Sequence, residues 1–183
     1  MTALDQAGRP ALLAQRIESE RDPRRRRNLA VVARHVAAEI DGDIDAVLAT
    51  MVPEPTYHIW GASASVAPRG AAQVRTFYED LVATGRNRLE FDISRVVVDD
   101  GHVVTDGVMR HAFPGTAVVE RGLAGVEPVV PDDWYLVAYR LLIVWPVNDD
   151  GLLKGEDIFA GEVPRVLRRL APGELPHLGL EGR

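Results

Sequence analysis

The strongest constraint on this chain is a change of period along its length. Up to about residue 84, apolar residues recur three and four apart. Leu29, Val32, Val36 and Ile40 form one such stripe, and Val74, Phe77, Tyr78 and Leu81 another. That spacing makes the buried face of an α-helix. From Arg88 onward the period is two, which is the alternation of a β-strand with one face covered. Two Asp-Gly turns divide this second part: Asp99-Asp100-Gly101, and Asn148-Asp149-Asp150-Gly151. Asp-Gly supplies the positive-φ positions of a tight hairpin. Helices followed by meandering hairpins predict an α+β layer architecture, with the helices gathered on one face of an antiparallel sheet.

Local punctuation places the elements. A short helix is expected from Pro10 to about Arg21. Asp22-Pro23 reads as an N-cap followed by Pro at the first helical position, opening a helix to about Ile40 that Asp41-Gly42 stops. Asp43 caps a shorter helix carrying Ile44, Val47 and Leu48. Pro53 and Pro55 end it, and Thr56 to Trp60 reads as a strand. Gly61 to Gly70 is a loop, and a third main helix spans about Ala71 to Thr84. Strands are expected at Arg88–Asp99, His102–Phe113, Trp134–Val147 and Leu152–Ala160. Pro114 to Asp133 is a long connection suited to a lid or a dimer contact, and Pro164 to Leu170 suggests a helical turn. This gives an N-terminal helical extension over residues 1–22, a domain over 23–163 and a C-terminal tail over 164–183.

Composition removes several classes of function. No cysteine is present, so a disulfide scaffold, a thiolate metal site and a cysteine nucleophile are excluded. The net charge of −6 argues against a nucleic-acid partner. His35, His58, His102, His111 and His177 show no metal-ligand spacing. Asp41, Asp43 and Asp45 mimic a calcium loop, but Ala46 and Val52 stand where Gly and Glu are required. No phosphate loop or nucleophile elbow is present. The start MTALDQAGRP lacks a signal-peptide core, and the apolar run Tyr135–Val147, broken by Arg140, is too short to span a bilayer. The expectation is a cytoplasmic protein without cofactor or metal and away from membranes. The Arg24–Arg27 run reads as solvated or paired with Glu18, Glu20 or Asp22.

Three segments carry a resemblance to a known superfamily. VVARHVAAEIDGD (residues 31–43) ends the first main helix in a Gly-Asp turn. RGAAQVRTFYEDL (69–81) is a Gly-started helix with a Phe-Tyr pair. Residues 140–160 form a strand, an Asp-Gly turn and a returning strand. In this order they resemble the nuclear transport factor 2-like superfamily, which includes ketosteroid isomerases, scytalone dehydratases, limonene epoxide hydrolases and SnoaL-like polyketide cyclases. The resemblance implies a cystatin-like α+β roll: a curved antiparallel sheet wrapped round a conical pocket with three helices. It also implies a homodimer through the outer face of the sheet and a small apolar ligand.

Carried over position by position, the resemblance is incomplete. The oxyanion-hole Tyr of the ketosteroid isomerases falls on His35, a hydrogen-bond donor, a proton shuttle or a packed helix-face residue. Their base falls on Ile59 or His58, and only one of His58 and Tyr57 can face the pocket. Their neutral Asp falls on Ile143. Met109, His111, Gly107 and Phe113 share the pocket face of one strand, and Asp106 pairs with Arg110 on the other. A carboxylate on the last strand resembles the epoxide hydrolase base, and the count favours Glu156 inward over Asp157. Burial in an apolar cone would raise its pKa. The catalytic candidates are therefore Glu156, His58, His35, His111, Tyr57 and Asp157, with Trp60, Tyr78, Met109, Tyr139 and Trp145 as substrate-binding wall. The implied function is an isomerase, dehydratase or cyclase moving a proton on an apolar molecule. The alternative is a non-catalytic ligand-binding or dimerisation module.

Overall fold

The structure is a computed structural model, and it describes residues 4, 11–61, 67–125 and 128–174. The elements run α1 (Ala11–Ser19), α2 (Pro23–Asp41), α3 (Ile44–Ala49), β1 (Met51–Gly61), α4 (Gly70–Ala83), β2 (Leu89–Val98), β3 (His102–Pro114), α5 (Gly115–Glu120), β4 (Trp134–Pro146), β5 (Leu153–Ala160) and β6 (Arg165–Arg169). The six strands form one sheet in the order β1-β5-β4-β3-β2. β6 joins beside the first half of β4, with Val137 opposite Val166. All pairs are antiparallel except β1 with β5, which run parallel. α2, α3 and α4 are the three helices that the roll requires.

The period change holds at residue level. Leu29, Val32, Val36 and Ile40 of α2 are all buried, as are Val74, Tyr78 and Leu81 of α4. The Asp22 side chain accepts from the backbone N–H groups of Arg24 and Arg25, and Gly42 closes α2 in the left-handed conformation. The inward residues of the second half of β4, Leu141, Ile143 and Trp145, meet these helices in one core.

Four local expectations are corrected. Pro53 and Pro55 lie inside β1, which starts at Met51. β1 is the edge of the sheet, where a missing N–H costs least. Residues 165–169 are a strand rather than a helical turn, because β4 outruns β5 and its free edge accepts a partner. The long connection holds the short helix α5, which together with β3, β4 and β6 encloses a small core of Phe113, Val118, Tyr135, Val137 and Val166. Asp106 and Arg110 do not pair. Asp106 bonds Arg140 at 2.7 Å, while Arg110 bonds Glu90 at 2.9 Å and Asp92 at 3.2 Å. Register is the cause: Glu90 lies directly opposite Arg110.

The arginine run is structural. Arg24 binds the Asp100 carbonyl and the Asp149 carboxylate, Arg25 binds the Asp100 carboxylate, and Arg27 binds the Asp149 carbonyl. Arg26 caps the Glu20 carbonyl. The first turn of α2 is thus stapled to both hairpin turns. The tail expected beyond Ala171 lies outside the described residues from 175 on, as do His177, most of the loop at 62–66 and most of the first ten residues. Among the described residues no helix is long and apolar enough to cross a membrane.

Candidate functional site

β5 supplies the central residue. Gly155 has φ +140 and sits so close to β1 that a Cβ there would collide with the Thr56 carbonyl. That approach pairs Tyr57 with Glu156 and His58 with Asp157. Alternation then sends Tyr57, Ile59, Glu156 and Ile158 in one sense and His58, Trp60, Asp157 and Phe159 in the other. Glu156 is buried and lines a cavity of about 300 Å³ between the sheet and α2 and α4. Phe77, Leu81, Met109, Leu141, Ile143 and Ile158 make its apolar wall.

Behind Glu156 lies a buried polar cluster. The Thr50 hydroxyl donates to the Val47 carbonyl at 2.5 Å, so it can only accept from His35 Nδ1, 2.7 Å away. The His35 Nδ1 therefore carries a proton. Nε2 faces Tyr78 Oη at 3.0 Å and Glu156 Oε1 at 3.1 Å. Tyr78 donates to the same Oε1 at 3.1 Å, and Tyr57 Oη lies 2.8 Å from Tyr78 Oη. Two bare lone pairs at 3.1 Å would repel, so a proton sits between Nε2 and Oε1. The pair is either imidazolium–carboxylate or imidazole–carboxylic acid. His35 is fully buried and the Glu156 side chain is 6% exposed, so no bulk water screens this pair.

The neighbours keep their protons. Burial, and then the charge of Glu156, hold the Tyr57 and Tyr78 phenols well above their usual range. The same two causes, in the same order, raise Glu39 to about 8. Glu39 also lines the cavity, so near neutrality it is an uncharged carboxylic acid with a proton to donate. Sequence reasoning missed Glu39. Its signal was available, because it stands one turn after His35 and shares that helix face.

A second cluster, around His111, lines the same cavity. His111 Nδ1 donates to the Arg86 carbonyl at 2.9 Å, and its Nε2 accepts from Tyr139 Oη at 3.1 Å. The two rings stack with 4° between their planes. Burial lowers His111 to about 4, helped by the charges of Arg86 and Arg121, against the bond to the Arg86 carbonyl. Its ring is neutral near pH 7, and its one N–H is already engaged.

The remaining candidates fall elsewhere. His58 and Asp157 bond each other at 2.6 Å on the outer face, with side chains 41% and 34% exposed. Trp60 is half exposed and stacks on Phe159. Their parity puts all three outside the cone, against the expectation of a base and a wall residue there. Trp145 lies in the core, its indole N–H on Thr105 at 2.9 Å and its ring edge-on to His35. It supports His35 instead of lining the cavity. Tyr57 meets the cluster through Tyr78, 2.8 Å from its hydroxyl, and through the nearby charge of Glu156. Met109, Tyr139 and Tyr78 do line the cavity. Among the described residues, no three His, Asp or Glu side chains converge to hold a metal ion.

Comparison with known proteins agrees with this fold. A SnoaL-like protein from Jannaschia sp. CCS1, assigned as a polyketide cyclase, superposes with a TM-score of 0.58 at 20% identity, covering 78% of this chain and 91% of that one. SalBIII, an epoxide hydrolase/cyclase-like enzyme with a role in pyran ring formation in the polyether salinomycin, gives 0.55 at 13% identity, covering 76% and 95%. RV0760c from Mycobacterium tuberculosis, in complex with estradiol-17beta-hemisuccinate, gives 0.54 at 13%, covering 74% and 93%. No curated protein matches the chain. At these identities the structures show a common fold. The sequence profile of the SnoaL-like domain matches residues 32–127, over half of the chain, and the chain belongs to the SnoaL-like domain family.

Proposed function

We propose that the cone binds a small apolar molecule and that Glu156 and His35 move a proton on it, in an isomerase, dehydratase or cyclase reaction. The observation that carries this reading is the buried His35–Glu156 pair, which holds one proton at the wall of an otherwise apolar cavity. Glu156 takes a proton from a carbon beside a carbonyl group, and the C–H electron pair passes into the enolate. Glu156 gains that proton on the oxygen turned away from His35, and His35 Nε2 takes up the proton already held at Oε1, so the pair becomes imidazolium and carboxylic acid. Glu39, uncharged near neutrality, donates a hydrogen bond to the developing oxyanion, where a fixed donor in a dry site is worth most. Return of the proton at another carbon completes an isomerisation, and attack of the enolate on a second carbonyl closes a ring.

The ring-forming role of SalBIII and the steroid bound to RV0760c support a cyclic apolar ligand. On the same reading, a second copy of the chain covers the outer face, where His58, Trp60 and Phe159 form an exposed stack. Light scattering that finds only a monomer removes that part.

A substrate-independent probe tests the chemistry. 5-Nitrobenzisoxazole is small and apolar, and it opens to a coloured cyanophenolate when a base removes its ring C–H proton and the N–O bond breaks. The protein should accelerate this opening, and Glu156→Gln should lose about 100-fold, the ordinary worth of a positioned base. Equal rates in both proteins would contradict the reading. Tight binding of the probe without turnover would favour a ligand-binding module.

A further inference from the structure

Arg88, immediately before β2, is a buried cation without a counter-ion among the described residues. The residue is 5% exposed, and its Nε and Nη1 make no hydrogen bond. Its guanidinium lies 4.0 Å over the Trp134 ring. Burial alone lowers it, to about 10, so it remains charged near neutrality. An uncompensated buried charge is costly, and stacking on one indole offsets only part of that cost.

Arg88 lines a cleft of about 640 Å³ between the end of α4 and α5, together with Arg86, Arg121 and Trp134. The cleft carries three guanidiniums against two carboxylates, Asp80 and Glu120, which leaves one positive charge in excess (3 − 2 = +1). Asp80 is committed to Arg86. Arg86 is itself lowered by burial and by the charge of Arg121, so the cations are crowded together. Gly85 makes room for this packing. It has φ +69, and a Cβ there would press on Trp134 at 3.0 Å and on the Arg88 guanidinium at 3.2 Å. Arg86 and Arg121 also line the cone, so the cleft adjoins it.

We propose that this cleft is an oxyanion site, and that it takes the acidic group of an amphipathic ligand whose apolar body lies in the cone. The second half rests on the cone being a ligand site as proposed above. Guanidinium–carboxylate and guanidinium–phosphate bonds are charge-assisted, and in a half-dry cleft beside an unpaired buried cation they supply the missing counter-charge.

Calorimetric titration of the full chain at constant ionic strength tests this with three probes: decanoate, decan-1-ol and inorganic phosphate. Decanoate should bind about tenfold more tightly than decanol, a preference of about 1.4 kcal/mol. The preference should vanish in Arg88→Met, with decanol affinity unchanged, and fall at least threefold in Arg121→Ala. Arg121 is exposed, so that second variant keeps the test sound if Arg88→Met does not fold. Equal affinity for decanoate and decanol in the native protein overturns the proposal, as does a preference that survives both substitutions. Arg88-dependent binding of phosphate without binding of either decyl probe supports the oxyanion site with a free anion as its occupant, and removes the cone ligand.

Discussion

Two His–carboxylate pairs stand back to back on β5. Glu156 faces in and meets His35 at 3.1 Å, and Asp157 faces out and meets His58 at 2.6 Å. The chemical groups are the same and the carboxylates are adjacent in sequence. The difference is the medium. The inner pair is cut off from bulk water, has Tyr78 and Thr50 as its bonded neighbours, and opens on an apolar cavity. The outer pair is more than a third exposed on its histidine side, so water competes for each bond and salt screens the charges. The shorter bond is therefore not the more consequential one. Which residue belongs to which pair is decided one position earlier, by the backbone of Gly155.

Breaking that backbone should have the largest effect. Gly155→Ala puts a Cβ into the Thr56 carbonyl at a φ that side chains rarely adopt, and it should cost about 3 kcal/mol or more. Urea unfolding measures this, and a loss below about 1 kcal/mol would mean that Gly155 does not set the register. The next effect separates the two pairs directly. Glu156→Ala leaves His35 and the Tyr78 phenol buried without their acceptor, and should cost about 3–5 kcal/mol. Asp157→Ala should cost about 1 kcal/mol or less. Similar losses in both variants would erase the contrast.

pH sharpens the comparison within the cone. Glu39 is raised to about 8 in the folded chain, from 4.5, so above its unfolded value the native state binds more protons. Stability must therefore fall as pH rises from about 4.5 to 8. Glu39→Gln should remove that slope, gaining on the order of 2–4 kcal/mol relative to the parent at pH 8. His111 acts at the other end. Its folded value near 4 lies below the ordinary 6.5, so the unfolded state binds more protons between them and stability falls as pH drops through that window. His111→Phe should flatten the acid limb by roughly 2–3 kcal/mol. It also removes the partner of Tyr139, so at pH 8, where the acid limb is flat, it should cost about 1 kcal/mol. Thermal melts from pH 3.5 to 9 on the three proteins read all of these slopes.

Much of this was legible before any coordinates. The change of period separates helices from hairpins, and the inward count along β5 selects Glu156. The features that escaped depend on contacts distant in sequence. Tyr57 and His58 differ by one position, and their parity is set by how β1 lies against β5. β6 forms because β4 is longer than β5, which RVLRR, with only Val166 buried, does not announce. Glu39 is not among the positions carried over from the resemblance, yet helical spacing from His35 is enough to place it on the cavity side. Arg88 looked like any strand-flanking arginine, since the absence of a partner is a property of three dimensions.

The central claim is that one proton is held between His35 and Glu156 inside the cone. Neutron diffraction from a crystal exchanged into deuterated solvent tests it most directly. The account predicts deuterium on His35 Nδ1 toward Thr50 and a single deuterium between Nε2 and Glu156 Oε1. A bare Nδ1, or no deuterium between the two groups, would contradict it.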